Sequence, residues 1–130
     1  MIPRTIRTFV EVALTLLLAI PAFAGDSGPA GNWQSVGGEA RYKVSLCGDG
    51  TQLCARLTWL SPDMRTDENL AYLNKLVINR AQLSGENVWQ GTVIYEGEQI
   101  DGSVKLISGD RLKVSGCRLV LCQSLEFRRI

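Results

Sequence analysis

Four cysteines in two close couples have the most evident chemistry in this chain. Six residues separate Cys47 from Cys54, and four separate Cys117 from Cys122. Such thiols either form disulfides or bind zinc, but the first couple is spaced more widely than zinc ligands usually are. Four cysteines allow three pairings. We predict the two local disulfides, Cys47–Cys54 and Cys117–Cys122, with a zinc site as the alternative.

The other polar residues do not form a recognisable catalytic set. The sequence contains no histidine, which removes the usual general base at neutral pH and the commonest metal ligand. The serines therefore have no base to activate them. The acidic residues near Arg65 are explained better as a solvated loop with a helix cap than as a metal or acid–base site. We predict no enzyme activity, no metal and no cofactor from these groups: Ser45, Ser115, Ser124, Asp63, Asp67 and Glu68.

The N-terminus has the pattern of an export signal. Arg4 and Arg7 precede an apolar stretch from Phe9 to Ile20, and small residues at Ala22 and Ala24 suit signal cleavage. The apolar stretch is too short to span a membrane. We therefore predict a signal peptide at residues 1–24 and a periplasmic or secreted protein with no stable membrane span. An exported protein meets an oxidising compartment, which favours disulfides.

The predicted mature chain, residues 25–130, is one domain. The signal contains two of the 14 basic and one of the 13 acidic residues, so 12 of each remain. A neutral chain with no basic stripe does not suit nucleic acid or an anionic membrane surface. The expected partner is instead a small hydrophobic ligand or an envelope protein.

Alternating apolar and polar residues predict an all-β fold. A short helical turn capped by Thr66 or Asp67 is expected in the irregular connection 61–74. Strands in simple sequence order with short turns indicate an antiparallel up-and-down barrel of eight strands. The predicted strands are 31–35, 39–47, 53–60, 75–83, 88–95, 98–107, 111–117 and 121–129.

The cysteines also predict strand register. If Cys47 lies opposite Cys54, then Val44 faces Leu57 and Tyr42 faces Trp59 on one apolar side. The same rule applied to Cys117 and Cys122 pairs Val114 with Leu125 and Lys113 with Glu126. Both disulfides would then lie outside the core, as local links across two hairpins.

The turns of the later hairpins align three glycines. A two-residue turn before Glu98 and a three-residue turn at 108–110 place Gly91, Gly102 and Gly116 side by side on the inner face, with Gln123 next to them. Glycine in a strand marks tight curvature or close packing. The alternative is that the missing side chains leave an inner hollow for a ligand or for Trp33.

Two resemblances follow from short motifs. Gly31-Asn32-Trp33 resembles the G-x-W start of lipocalin-type (calycin) barrels, in which an arginine of the last strand packs across the tryptophan. Arg128 or Arg129 occupies the matching position, and Arg128 is taken as the structural residue.

The stretches Cys47–Leu60, Trp89–Tyr95 and Gly116–Arg128 together resemble the bacterial exported family called domain of unknown function 2147. This resemblance implies a calycin-like barrel and no established activity.

The aromatic residues predicted to point inward suggest a function. An eight-stranded barrel is just wide enough to be filled by side chains or to hold one small ligand. We expect an exported module that binds a small apolar or amphipathic molecule. The alternative is a protein-binding module, such as an inhibitor of an envelope hydrolase, that acts through loops. The candidate ligand-binding residues are Tyr42, Trp59, Trp89, Tyr95 and Gln123.

Overall fold

The computed structural model describes residues 28–130, and the predicted signal peptide lies outside this range. Eight antiparallel strands in sequence order close into one up-and-down barrel, as predicted, and each strand end lies within two residues of its predicted position. The strands are β1 (Gly31–Ser35), β2 (Ala40–Cys47), β3 (Gln52–Leu60), β4 (Leu76–Gly85), β5 (Val88–Tyr95), β6 (Glu98–Ser108), β7 (Arg111–Arg118) and β8 (Leu121–Arg129).

Alternate residues of these strands face one core. Trp33 and Leu53 have no exposed surface, and Val104 and Leu112 are each 2% exposed. Removing such side chains from water stabilises the fold by about 1.5–3 kcal/mol each. The buried cluster draws on all eight strands, so the barrel has one core across the described residues.

The two ends of the barrel differ in their connections. Short turns at 48–51, 86–87 and 109–110 lie at one end, beside the chain entry at 28–30, and we call this the closed end. The other end has the turns at 36–39, 96–97 and 119–120 and the long connection 61–75. We call it the open end, because the pocket described below lies there.

The connection between β3 and β4 folds over the open end. A 3-10 turn at Pro62–Met64 is followed by one helical turn, α1 (Asp67–Leu70). The N–H of Asn69 donates to Thr66 Oγ1 over 3.2 Å, which confirms the predicted cap. Within residues 28–130, no helix has the length and apolar character needed to cross a bilayer.

The registers predicted for β5 to β8 are confirmed. Gly91 pairs with Gly102, and Gly102 pairs with Gly116. Cys117 lies directly opposite Cys122, with their Cα atoms 4.0 Å apart. The tight turns set the register of these hairpins, and a slip of one residue would turn every apolar side chain outward.

The register predicted for β2 and β3 is wrong by two residues. Cys47 pairs with Gln52, and Cys54 pairs with Ser45, so the disulfide crosses the ladder diagonally with 6.0 Å between Cα atoms. The turn is shorter than predicted because Gly48 and Gly50 adopt φ values of +61° and +96°. A shift of two residues preserves the faces, so Val44 and Ala55 still point inward.

Trp59 does not point inward, contrary to the prediction. Tyr42 pairs with Leu57, but its neighbour Arg41 pairs with Trp59, so Thr58 is an extra residue in β3. This bulge reverses the alternation beyond it. Trp59 therefore lies outside the barrel, with the guanidinium carbon of Arg41 4.4 Å from its ring centroid.

The barrel closes over only part of its height. β1 pairs with β8 through Trp33, Gln34 and Ser35, and the N–H of Val36 adds one bond to the carbonyl of Glu126. In the described structure, Leu121–Leu125 of β8 has no strand beside it on that side. We call this unpaired stretch the seam.

Candidate binding site

The closed end is packed solid around Trp33. The indole N–H of Trp33 donates to the carbonyl of Pro29 over 2.9 Å. The indole N–H of Trp89 donates to the carbonyl of Thr51 over 2.8 Å. Both large side chains are thus buried with their polar atoms satisfied, as stable burial requires.

Arg129, and not Arg128, covers Trp33. Its guanidinium carbon lies 4.4 Å from the centroid of the Trp33 ring, and its nitrogens donate to the carbonyls of Gly28, Ala30 and Gly109. Arg128 is exposed. Successive residues of a strand point to opposite faces, so only one of the two arginines can reach the tryptophan.

A pocket of about 620 Å³ occupies the open end. Its wall is mostly apolar and is drawn from β1, β2, β3, β4, β5, β7 and β8, with Met64 and Tyr72 added by the connection over the end. Its volume lies within the range of small-molecule sites, which is roughly 300–1,000 Å³. The apolar lining residues are Val36, Ala40, Tyr42, Leu57, Leu60, Met64, Tyr72, Val77, Ile94, Tyr95, Leu125 and Phe127.

Tyr42 and Phe127 lie between this pocket and the packed core. Their ring centroids are 5.5 Å apart and their planes are at 89°, the edge-to-face arrangement that aromatic pairs favour. Both also line a void of about 60 Å³ next to Trp33, which is far smaller than the pocket at the open end. The half of the barrel next to the closed end is therefore filled by side chains, and the large pocket is confined to the open end.

The phenol of Tyr42 remains protonated at the floor of the pocket. Burial raises the pKa of Tyr42 to about 12, and the negative charge of Glu39 and the nearby Tyr95 contribute to the rise. At any physiological pH this hydroxyl is neutral. It is therefore a hydrogen-bond donor or acceptor for a ligand's polar group and not an anion.

The rim of the pocket is polar. Glu39 and Glu96 border it from two turns, and Asn69 borders it from α1. Asn69 is held in place, since its side-chain nitrogen donates to the carbonyl of Met64 over 2.8 Å. Glu39 accepts a hydrogen bond from the Ser35 hydroxyl. A ligand with an apolar body and one polar end would find matching groups here.

The five predicted ligand-binding residues are distributed over four places. Tyr42 and Tyr95 line the large pocket. Gln123 lines a neighbouring cleft of about 100 Å³ between β6, β7 and β8. Trp89 is buried at the closed end, and Trp59 lies outside the wall, so neither borders the pocket.

The glycine row is closely packed and does not form a hollow. A methyl group at Gly102 would lie 2.7 Å from Val93 Cγ2 and 2.9 Å from the Ser115 carbonyl oxygen. One at Gly91 would lie 3.0 Å from Ala81 Cα. Gly116 also borders the small cleft that contains Gln123. Glycine is required here so that neighbouring chain segments can approach closely.

Both predicted disulfides are present, and no described cysteine is free. Cys117 and Cys122 are exposed at the open end. Cys54, by contrast, is buried at the closed end, where its sulfur accepts the backbone N–H of Arg80. Neither disulfide contributes to the core cluster.

Sequence reasoning missed residues both in the long connection and in the strands. Met64 and Tyr72 lie in a segment without strand or helix periodicity, so no pattern indicated which side they face. Leu57 and Phe127 carried the usual alternation signal and could have been included, whereas Leu60 is turned inward only by the bulge at Thr58. Among residues 28–130, no group of three or more histidine, cysteine or acidic residues is placed to hold a metal ion.

Comparison with known proteins identifies the family. A sequence model of the family described as "Uncharacterized protein conserved in bacteria (DUF2147)" matches residues 31–129. The chain therefore belongs to this family, as its motifs predicted. Searches of curated proteins and of solved structures found no match, so the likeness to lipocalins stays a prediction from the G-x-W motif.

Proposed function

We propose that this member of the family is an exported module that binds a small apolar or amphipathic molecule at the open end of its barrel. The observation that carries the proposal is the pocket of about 620 Å³ lined by aliphatic and aromatic side chains. An apolar hollow of this size in a small domain costs stability, because its lining loses packing contacts. Such a cost is typical of a surface shaped for a ligand.

The polar groups of the pocket favour an amphipathic ligand. The neutral hydroxyl of Tyr42 lies at the floor, while the carboxylates of Glu39 and Glu96 lie at the rim. Neither carboxylate takes part in an ion pair within the described residues. Arg111 also lines the pocket, but its guanidinium is paired with Glu126. A ligand whose polar end carries hydrogen-bond donors or a positive charge therefore fits Glu39 and Glu96 best.

We place the protein in the periplasm. Two disulfides suit an oxidising compartment, and the export pattern of residues 1–24 supports the same location. The absence of histidine from the sequence supports binding rather than catalysis.

Fluorescence titration with 1-N-phenylnaphthylamine and with a fluorescent fatty acid tests the proposal. We expect saturable binding of one probe molecule per chain. Met64→Trp fills the pocket from the connection over the open end and should weaken binding at least about tenfold. Ile107→Trp, a matched addition of bulk on the outer side of β6, should leave binding unchanged. Absence of saturable binding, or equal effects of the two substitutions, would contradict the proposal.

The alternative role, binding an envelope protein through loops, has less support. Among the large apolar residues of the long connection, Met64, Tyr72 and Leu73 pack against the barrel core, which leaves Leu70 exposed for a partner. Affinity purification from envelope extract discriminates between the roles. A stoichiometric protein partner bound to a chain that takes up neither probe would favour the alternative.

A further inference from the structure

The seam exposes unpaired backbone groups of β8. The carbonyl of Glu126 points toward β1, since it accepts the N–H of Val36 over 3.0 Å. Alternate residues of a strand direct their N–H and C=O groups to the same side. Ser124 and Cys122 therefore direct theirs into the seam, where the described structure provides no partner strand. Four backbone groups are left available for pairing.

This edge lacks the features that normally prevent strand association. Residues 119–125 contain no charge, no proline and no glycine, whereas exposed edges usually carry lysine, proline or a bulge. At the hairpin tip, Leu119 is 100% exposed, Val120 91% and Leu121 71%. Leu119 also has φ +56°, a backbone conformation that favours glycine or asparagine. This hairpin tip thus holds exposed apolar side chains, one of them in an unfavourable backbone conformation.

Two ion pairs beside the seam are formed within the chain. Arg118 pairs with Glu98 over 3.1 Å, and Arg111 pairs with Glu126 over 2.9 Å. Like charges placed opposite each other are what disfavours strand pairing. An identical edge therefore brings no like charge of residues 119–125 against this one.

We propose that the seam is covered by a second copy of this chain, with the two β8 strands paired antiparallel about a two-fold axis at Gln123. In this register Cys122 lies opposite Ser124 of the partner subunit, and Ser124 lies opposite the partner's Cys122. Each of these two pairs forms two backbone hydrogen bonds, so four form in all. Leu121 lies opposite the partner's Leu125. A closed two-fold dimer is the commonest form of homo-oligomer.

The same register accounts for the exposed apolar residues around the seam. The hairpin tip, Leu119 and Val120, extends past the paired stretch toward the end of the partner's β1. Val36 lies there and is 53% exposed. Ser124 and Leu125 border the large pocket along the seam. A partner strand therefore supplies the missing part of the pocket wall as well as the missing backbone partners.

Cysteine crosslinking tests the register directly. On the two-fold axis, the two Gln123 Cα atoms would be about 4.5 Å apart, within the span of a disulfide. Gln123→Cys should form an interchain disulfide on non-reducing gels, and peptide mapping should join the two substituted positions. Leu125→Cys is the matched control on the same strand and face, because it would lie about 13 Å from its counterpart. No crosslink from Gln123→Cys, or an equal crosslink from both variants, would overturn the proposal.

Sedimentation velocity over a range of protein concentrations tests the dimer without added thiols. The unsubstituted protein should reach dimer mass. Ser124→Pro removes a seam-facing N–H and no bond to β7, and Leu121→Glu places a charge against the partner's Leu125. Each should raise the dimer dissociation constant at least about tenfold. Ile107→Glu, on the outer side of β6, should leave it unchanged. A monomer at all concentrations, or dimers unaffected by the seam variants, would refute the arrangement.

Discussion

The closed and open ends of the barrel are built on opposite principles. At the closed end, Trp33 and Trp89 are buried with their indole N–H groups bonded, and Arg129 ties the chain entry to the last strand. At the open end, the aromatic residues line a pocket and the wall is incomplete along the seam. Packing that satisfies every group stabilises the fold, whereas apolar surface left without contacts is available for binding. We therefore expect substitutions at the closed end to change stability and substitutions at the open end to change binding.

Trp33→Ala should have the largest effect. Deleting a fully buried tryptophan typically costs about 3–5 kcal/mol, and Trp33 also loses its contact with Arg129. Tyr72→Ala, at a half-buried position in the connection over the open end, should cost only about 1 kcal/mol while weakening ligand binding. Urea denaturation measures both. Equal losses of stability would show that the two ends do not differ as described.

Removing each disulfide in turn compares how much the two ends contribute to stability. In the chain-entropy model, loops of this length contribute about 2–3 kcal/mol each. Cys47→Ser with Cys54→Ser should cost more than Cys117→Ser with Cys122→Ser, because Cys54 is buried and accepts the Arg80 N–H. Thermal unfolding of the two double variants gives the comparison. The opposite order would mean that the hairpin beside the seam contributes more to folding than the closed end.

Tyr42 should give the open end a dependence on alkaline pH. Its pKa is about 12 in the folded state and about 10 in the unfolded chain. The folded state therefore holds the proton more tightly, so its contribution is complete below pH 10 and is lost as pH rises to 12. The loss is about 2–3 kcal/mol.

The matched variant Tyr42→Phe should lack this component. Free energies of unfolding for both proteins, measured by urea denaturation from pH 9 to 12, should converge or cross as the tyrosine ionises. Curves that stay parallel over this range would show that Tyr42 is not buried at the floor of the pocket.

The smallest expected difference in stability is between substitutions of Arg128 and of Arg129. Arg129→Gln should cost about 1–2 kcal/mol through loss of the cation–aromatic contact and of bonds to backbone carbonyls. Arg128→Gln should change stability by less than about 0.5 kcal/mol, since Arg128 is exposed. Chemical denaturation of the two variants is sufficient to compare them. A larger effect at Arg128 would mean that Arg128, and not Arg129, packs over Trp33.

Much of the fold was predictable because it depends on local signals. Alternating side chains and tight turns determined eight strands and the registers of β5 to β8, including the glycine row. The β2–β3 register was not predictable in this way, since a disulfide can join residues directly opposite or diagonally. The bulge at Thr58, which turned Trp59 outward, also has no signature in apolar alternation alone.

The candidate site was predictable only in part. Tyr42 and Tyr95 were expected inside and border the pocket, but Trp89 fills the closed end instead. Met64 and Tyr72 reach the pocket from a connection whose path depends on where the barrel leaves space. Whether Arg128 or Arg129 covers Trp33 depends on which of the two points inward when β8 pairs with β1. Two adjacent arginines in the sequence do not indicate which one that is.

By itself, the sequence determined the strand order, the pairing of the cysteines and the apolar inner face. These follow from turn chemistry and from the two-residue period of a strand, which act over a few residues. Only the tertiary structure decided which end of the barrel is filled, where the wall stays open and which aromatic residues meet. Those outcomes depend on how distant strands stagger when the sheet closes, and that stagger is set by the packing of the whole core.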